Sequence, residues 1–215
     1  MRIFRIRFLI FLSAACICCS CNQYSHMHNI PSDENCIRKF KPDFNRVVYK
    51  TTVDVIGKHI SGLLLFKYMP DSSTRIVFSN EMGFGFFDFG FMHDGDFVVY
   101  QIIPQMNKKA LIKTLRKDFE LIMFRNMDSS KYYALADTGN LVYHAFPQSK
   151  GINYYITDAQ CRQLVKMQRA SNKKPVMEAY IESSSPDSSP DSISIRHLNF
   201  NFSITLKKIS AIAPE

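Results

Sequence analysis

Six cysteines are the residues of this chain best placed to do covalent chemistry, and their distribution is lopsided. Cys16, Cys18, Cys19 and Cys21 crowd the N-terminus, and only Cys36 and Cys161 lie beyond it. That pattern excludes a disulfide framework for the whole domain. One Cys36–Cys161 bond is open to the chain in an oxidising compartment. It is disfavoured at this level, because Cys36 falls in a polar, aperiodic stretch that reads as a tether. His26-Met27-His28 offers two imidazoles to copper or zinc, but no convincing third ligand is near, so these are read as solvated side chains. Asp88 sits among phenylalanines in Phe84-Gly-Phe-Phe-Asp-Phe-Gly, and burial there could raise its pKa. It has no acid or nucleophile partner at a motif spacing, so it is expected to face water or a lysine. His59, His144 and His197 are isolated and read as edge or surface residues. Arg116, Lys117, Asp118 and Glu120 read as the solvated face of a helix. No G-x-S-x-G, H-E-x-x-H, phosphate-loop or dinucleotide motif occurs, so no enzyme and no cofactor is expected.

The chemistry left to the cysteine cluster is attachment. Met1-Arg-Ile-Phe-Arg-Ile-Arg is a basic n-region, and Phe8-Leu-Ile-Phe-Leu-Ser-Ala-Ala is a short apolar run ending in small residues. This is the build of an export signal, too short for a membrane span. Small residues running into cysteine resemble a bacterial lipobox, in which the cysteine receives diacylglycerol and the signal is cut before it. Cys21 is favoured by the serine before it and the polar residue after it. Cys16, preceded by Ser13, Ala14 and Ala15, is the alternative. Fatty chains such as palmitate would anchor the protein stably, at about 0.8 kcal/mol per buried methylene. The chain thus divides into residues 1–21 as signal and lipobox, 22–45 as a flexible tether, and 46–210 as one domain.

Composition is compatible with that division. The net charge is +8 over 215 residues, and Arg2, Arg5 and Arg7 belong to the signal. The remaining cations are scattered, which argues against a nucleic-acid groove and leaves room for a weak attraction to anionic headgroups. Eighteen phenylalanines and no tryptophan demand either a large core or an apolar hollow.

Strands must supply most of the framework. Arg46–Ile56, Ile60–Met69, Arg75–Ser79, Phe84–Met92 and Phe97–Ile103 are extended runs separated by turn residues, including the strong Asp94-Gly95 hairpin signal. The period then changes. Leu111, Leu115, Phe119 and Ile122 recur every three or four residues, predicting an amphipathic helix over 108–125 with Asn107 as its N-cap. Further strands follow at 132–136, 140–146, 153–157, 163–169 and 175–181. The Ser/Pro loop 183–192 precedes two last strands, at 193–196 and 199–206. The expected fold is mainly β (α+β), a curved antiparallel half-barrel of about 11 strands with a helical lid.

Three stretches make the chain resemble the LolA/LolB-like lipoprotein-carrier superfamily. They are Val53-Asp-Val-Ile-Gly-Lys-His-Ile-Ser-Gly-Leu-Leu-Leu-Phe-Lys, Arg75-Ile-Val-Phe-Ser-Asn-Glu-Met-Gly, and the helix opening Asn107-Lys-Lys-Ala-Leu-Ile-Lys. The likeness runs over residues 46–208 and is specific over 46–125. It implies an unclosed half-barrel whose apolar interior takes acyl chains of a lipid or lipoprotein, in a lipid-anchored protein of the bacterial outer membrane facing the periplasm. Candidate lining residues are Leu64, Phe66, Phe78, Phe87, Phe89, Leu115, Phe119 and Ile122. Met82, in the turn after the third strand, would hold the position that meets membrane or cargo. The absence of tryptophan and the Ser/Pro loop depart from the family pattern, which leaves the cargo open. The alternative is a non-catalytic structural or adaptor lipoprotein that binds a protein partner.

Overall fold

The computed structural model describes residues 22–55, 57–185 and 188–209. The signal and both candidate lipid-attachment cysteines, Cys16 and Cys21, lie outside the described residues. The described chain forms one open antiparallel sheet of thirteen strands with a helix packed on its concave face. In chain order the elements are β1 (His28–Ile30), α1 (Asn35–Arg38), β2 (Arg46–Val55), β3 (Lys58–Tyr68), β4 (Thr74–Ser79), β5 (Gly85–Phe91) and β6 (Phe97–Ile102). Then come α2 (Lys109–Ile122), β7 (Tyr133–Ala136), β8 (Leu141–Pro147), β9 (Ile152–Asp158), β10 (Leu164–Ala170), β11 (Pro175–Glu182), β12 (Ser192–His197) and β13 (Phe202–Lys208). The expected mainly-β half-barrel with a helical lid is the fold, with thirteen strands rather than about eleven.

Spatial order explains how the sheet is assembled. It runs β1-β7-β8-β9-β10-β11-β12-β13-β2-β3-β4-β5-β6. Two meanders, β2–β6 and β7–β13, are therefore joined by one pairing, β13 with β2, from Phe202↔Val55 to Lys208↔Tyr49. Alternation sets which side chains turn inward. Tyr49, Leu64, Phe66, Ile76, Phe78, Phe87, Phe89, Ile204 and Leu206 are all buried in the main core. On the convex face Arg75 bonds both carboxylate oxygens of Asp88 and stacks over the Tyr100 ring at 3.7 Å. Gly90 permits that ring to lie flat on the sheet, because a Cβ there would come within 2.6 Å of it.

The helix is shorter than its apolar period predicted. It starts at Lys109, and its N-cap is Lys108 in extended conformation with no side-chain cap bond, so Asn107 does not cap it. A correction of larger consequence concerns residues 22–45. They are part of the fold, not a flexible tether. Tyr24 packs on Tyr143 and Tyr154, with ring centroids 6.4 and 5.0 Å away, covering one face of β8 and β9. β1 then adds to the sheet edge beside β7. The chain turns the edge, and Ile37, Phe40 and Phe44 pack into the main core. Phe44 stacks on Phe66 at 4.3 Å. Low periodicity hid this, because the segment contributes single apolar residues to two different faces.

The same correction explains the cysteines. Cys36 on α1 is disulfide-bonded to Cys161 in the β9–β10 turn, across 125 residues of sequence. The pair disfavoured from sequence thus exists, and it fastens α1 over the end of the sheet.

His144, expected at an edge or surface, is instead 1% exposed on β8. It lies 2.8 Å from the Tyr132 hydroxyl and 3.2 Å from that of Thr157. Burial holds its pKa at about 4, against an ordinary 6.5. The exposed residue of the three is His59, paired with Asp54 at 2.7 Å.

Two outcomes follow from these arrangements. Replacing both disulfide cysteines, C36S/C161S, should lower unfolding free energy by about 2–4 kcal/mol. Urea titration of wild type under reducing conditions should give the same loss. The buried neutral imidazole ties stability to pH with a definite sign. The unfolded chain takes up a proton near 6.5 that the folded chain refuses until about 4. His144 therefore contributes fully above pH 6.5, and its contribution is lost as pH falls towards 4. Between pH 7.5 and 5 the loss should be about 2 kcal/mol. Urea midpoints at those two pH values should separate for wild type and converge for H144N.

Candidate functional site

The site is built where α2 meets the sheet. Leu111, Leu115, Phe119 and Ile122 fall on one helical face and turn into the concave side. Burial increases along the helix. Lys108, Lys109 and Ala110 are exposed, Leu111 is partly buried, and Asp118 through Phe124 are all buried.

The C-terminal half is held by packing and by hydrogen bonds. Phe119 lies edge-on to Phe66 and Phe91 and tilted on Phe87, with centroids 6.1 to 6.4 Å apart. The Tyr155 hydroxyl donates to the Leu121 carbonyl at 3.1 Å. Asp118, read from sequence as part of a solvated face, is fully buried. Its carboxylate accepts from Arg169 on β10 and from His197 on β12, each at 2.7 Å. Those two strands thus fasten the helix to the middle of the sheet. His197 is 6% exposed and packed against the rings of Phe200 and Phe202, so it too is a core residue. This Asp–His pair is shut away from any substrate, and its role is positional. Glu120 is also buried and paired with Arg116 at 2.7 Å. The solvated-face reading fails for both acids. Asp118 was findable, because it falls beside Leu115 and Ile122 on the helical wheel.

Beneath the N-terminal half the packing stops. An apolar cavity of about 380 Å³ lies between α2, β2, β3 and β13 and the segment that leads from β6 into the helix. Of the fifteen residues around it only Lys58 and Gln105 have polar side chains. Of the eight candidate residues, Leu64, Phe78, Phe87, Leu115 and Phe119 stand at its wall. Phe66, Phe89 and Ile122 do not. Each is fully buried in the solid part of the core under the other end of the helix. The sequence reading missed Val53, Val55, Ile60, Phe202 and Ile204, which close the cavity at the β13–β2 seam. Their alternation was visible; their meeting was not, since it depends on a pairing between the two ends of the domain.

Met82 is 94% exposed at the tip of the β4–β5 turn, and Phe84 beside it is 59% exposed. The Asn80 side chain shapes that turn by accepting from the backbone N–H groups of Met82 and Phe84 at 3.0 and 2.8 Å. Among the described residues no helix is long and apolar enough to cross a membrane, and no group of three or more acidic, histidine or cysteine ligands could hold a metal.

No family model matches the chain, and no curated protein matches it. Solved structures similar to it include a DUF1329 family protein from Desulfovibrio piger, at 7% identity and TM-score 0.42 over 84% of this chain and 92% of that one. Another is a Vibrio parahaemolyticus domain provisionally described as an outer membrane lipoprotein-sorting protein, at 5% identity and TM-score 0.47 over 85% and 92%.

Removing the buried carboxylate tests the fastening. D118A leaves Arg169 and His197 without their shared acceptor inside the core. The expected loss is about 3–5 kcal/mol. That corresponds to a melting temperature lower on the order of 10 °C by calorimetry.

Proposed function

We propose that this protein is a non-catalytic carrier or receptor that holds acyl chains of a lipid or lipoprotein in the cavity under the N-terminal half of α2. The observation that carries this reading is the cavity itself. Well-packed cores leave few voids larger than a water molecule, and about 380 Å³ falls within the roughly 300–1,000 Å³ of ordinary ligand sites. Its wall offers an acyl chain dispersion and burial but almost no hydrogen bonds. Ten buried methylenes would contribute about 8 kcal/mol, before the cost of ordering the chain.

The lid supplies a route in. With its C-terminal half fastened through Asp118 and Tyr155, α2 moves by lifting its uncapped N-terminal turns, and these border the cavity. Met82 and Phe84 are suited to touch a membrane or cargo first. The reading continues to the N-terminus: lipid on Cys21, with Cys16 as the alternative, anchors the protein in the bacterial outer membrane, facing the periplasm. The Cys36–Cys161 bond favours an exported protein, because such bonds persist in oxidising compartments.

One observation favours a second reading, an adaptor that binds a protein partner. β6 is a sheet edge, and Val98, Val99 and Tyr100 on it are each at least 36% exposed. Unprotected edges of this kind are templates for strand addition.

Native mass spectrometry of the full chain, purified in mild detergent, should find an acyl-bearing molecule bound. A fluorescent polyene fatty acid should bind in competition with it. I60W, which fills the cavity from β3, should weaken that binding by roughly tenfold or more, while V98K on the β6 edge should not. Absence of bound lipid together with no uptake of the probe would exclude the carrier reading.

A further inference from the structure

The face of α2 opposite the apolar stripe borders two adjoining clefts of about 690 and 800 Å³. Their other walls are the β8–β9 turn and the β10–β11 turn, and Lys117, Lys150 and Arg169 line both. The larger cleft is lined by Lys117, Lys150, Arg169, Lys173 and Lys174 and by no carboxylate. In the smaller one Arg116 and Lys131 are answered by Glu120 and Asp128, whereas Lys113 has no ion-pair partner among the described residues. Arg169 is committed to Asp118. Lys117 and Lys150 form no ion pair among the described residues. The pKa of Lys117 is lowered, first by burial and then by Arg169 and Lys113, with Glu120 offsetting it in part. A cleft lined by one sign of charge concentrates its field on whatever anion enters.

A second observation says where that anion comes from. The backbone N–H of Gln23 donates to the carbonyl of Lys173 at 2.8 Å, so the first described residues run directly beside this cleft. Cys21 precedes Gln23 by two residues, and two residues reach at most about 7 Å. Even Cys16 is separated from it by no more than about 25 Å of extended chain. A lipid on Cys21 would bring a membrane surface to the β10–β11 turn, and one on Cys16 would hold it within about 25 Å.

We propose that this cationic cleft binds the phosphate headgroups of anionic phospholipids in the leaflet that carries the chain's own lipid anchor, holding the β10–β11 turn against the membrane. The proposal rests on the lipid-anchored reading given above. It adds a membrane contact distinct from the acyl cavity, on the other side of the helix. A concave site with backbone turns on two sides is shaped for headgroups that project from a surface, while the exposed cross-strand pair Lys50 and Lys207 on β2 and β13 is not.

The test is lysine footprinting of the full mature chain inserted into vesicles, read by mass spectrometry after brief acetylation. In vesicles of phosphatidylcholine with phosphatidylglycerol, Lys117, Lys150 and Lys174 should react roughly fivefold more slowly than in phosphatidylcholine alone. Lys50 and Lys207 should react equally in both. K117Q/K150Q should return Lys174 to the rate found in phosphatidylcholine. Equal rates in the two vesicle types, or uniform slowing of every lysine, would overturn the proposal. Protection by soluble pyrophosphate in phosphatidylcholine vesicles, matching that by phosphatidylglycerol, would also overturn it, as the mark of a free-anion site. The mass of the N-terminal peptide in the same digest reports acylation separately, so failure of the anchor is distinguished from failure of the cleft.

Discussion

Thirteen strands about 4.8 Å apart present an arc of roughly 60 Å, whereas a helix of fourteen residues is only about 21 Å long. One such helix cannot cover the concave face. The remaining apolar surface must be met by something else, and the chain meets it unevenly. Phe44, Ile37 and the aromatic cluster around Phe66 and Phe119 fill one end solidly. At the β13–β2 seam nothing of comparable bulk is supplied, and a hollow is left. The cavity is thus a consequence of mismatched lengths, not of any unusual residue in its wall.

The buried carboxylate of Asp118 decides which end of the helix is rigid. A charge without water needs partners that are themselves fixed, and Arg169 and His197 come from neighbouring parts of one sheet. The helix consequently has one position along its length where displacement is costly, while four to nine residues earlier its side chains are exposed or only partly buried. Arg169 also lines the cationic cleft, so one guanidinium both fastens α2 through Asp118 and faces that cleft.

Local pattern carried most of the architecture. The hairpins around Gly57, Pro70 and Asp94-Gly95, the change of period at Leu111, and the final alternation of Phe202, Ile204 and Leu206 are written in adjacent residues, and each element appears close to its expected span. What failed was whatever depended on distant partners. Asp118, His144 and His197 look solvated in isolation and are buried because cations, carboxylates, hydroxyls or rings from other segments reach them. Residues 22–45 look like a linker because Tyr24 serves one face of β8 and β9 while Ile37 and Phe44 serve the main core. The same cause split the candidate lining residues. Phe66 and Phe89 share the inward parity of Leu64 and Phe87, and only the footprint of the helix separates floor from wall.

The spatial order of the strands carries a consequence for biogenesis. Each meander closes through neighbours in sequence, but the two become one sheet only through β13, the last of the described strands to be synthesised. Until residues 202–208 are available, β2 has an unpaired flank, and the apolar hollow lacks the wall formed by Phe202 and Ile204. A nascent chain of this topology stays incomplete until β13 has emerged, because contacts so far apart in sequence form late.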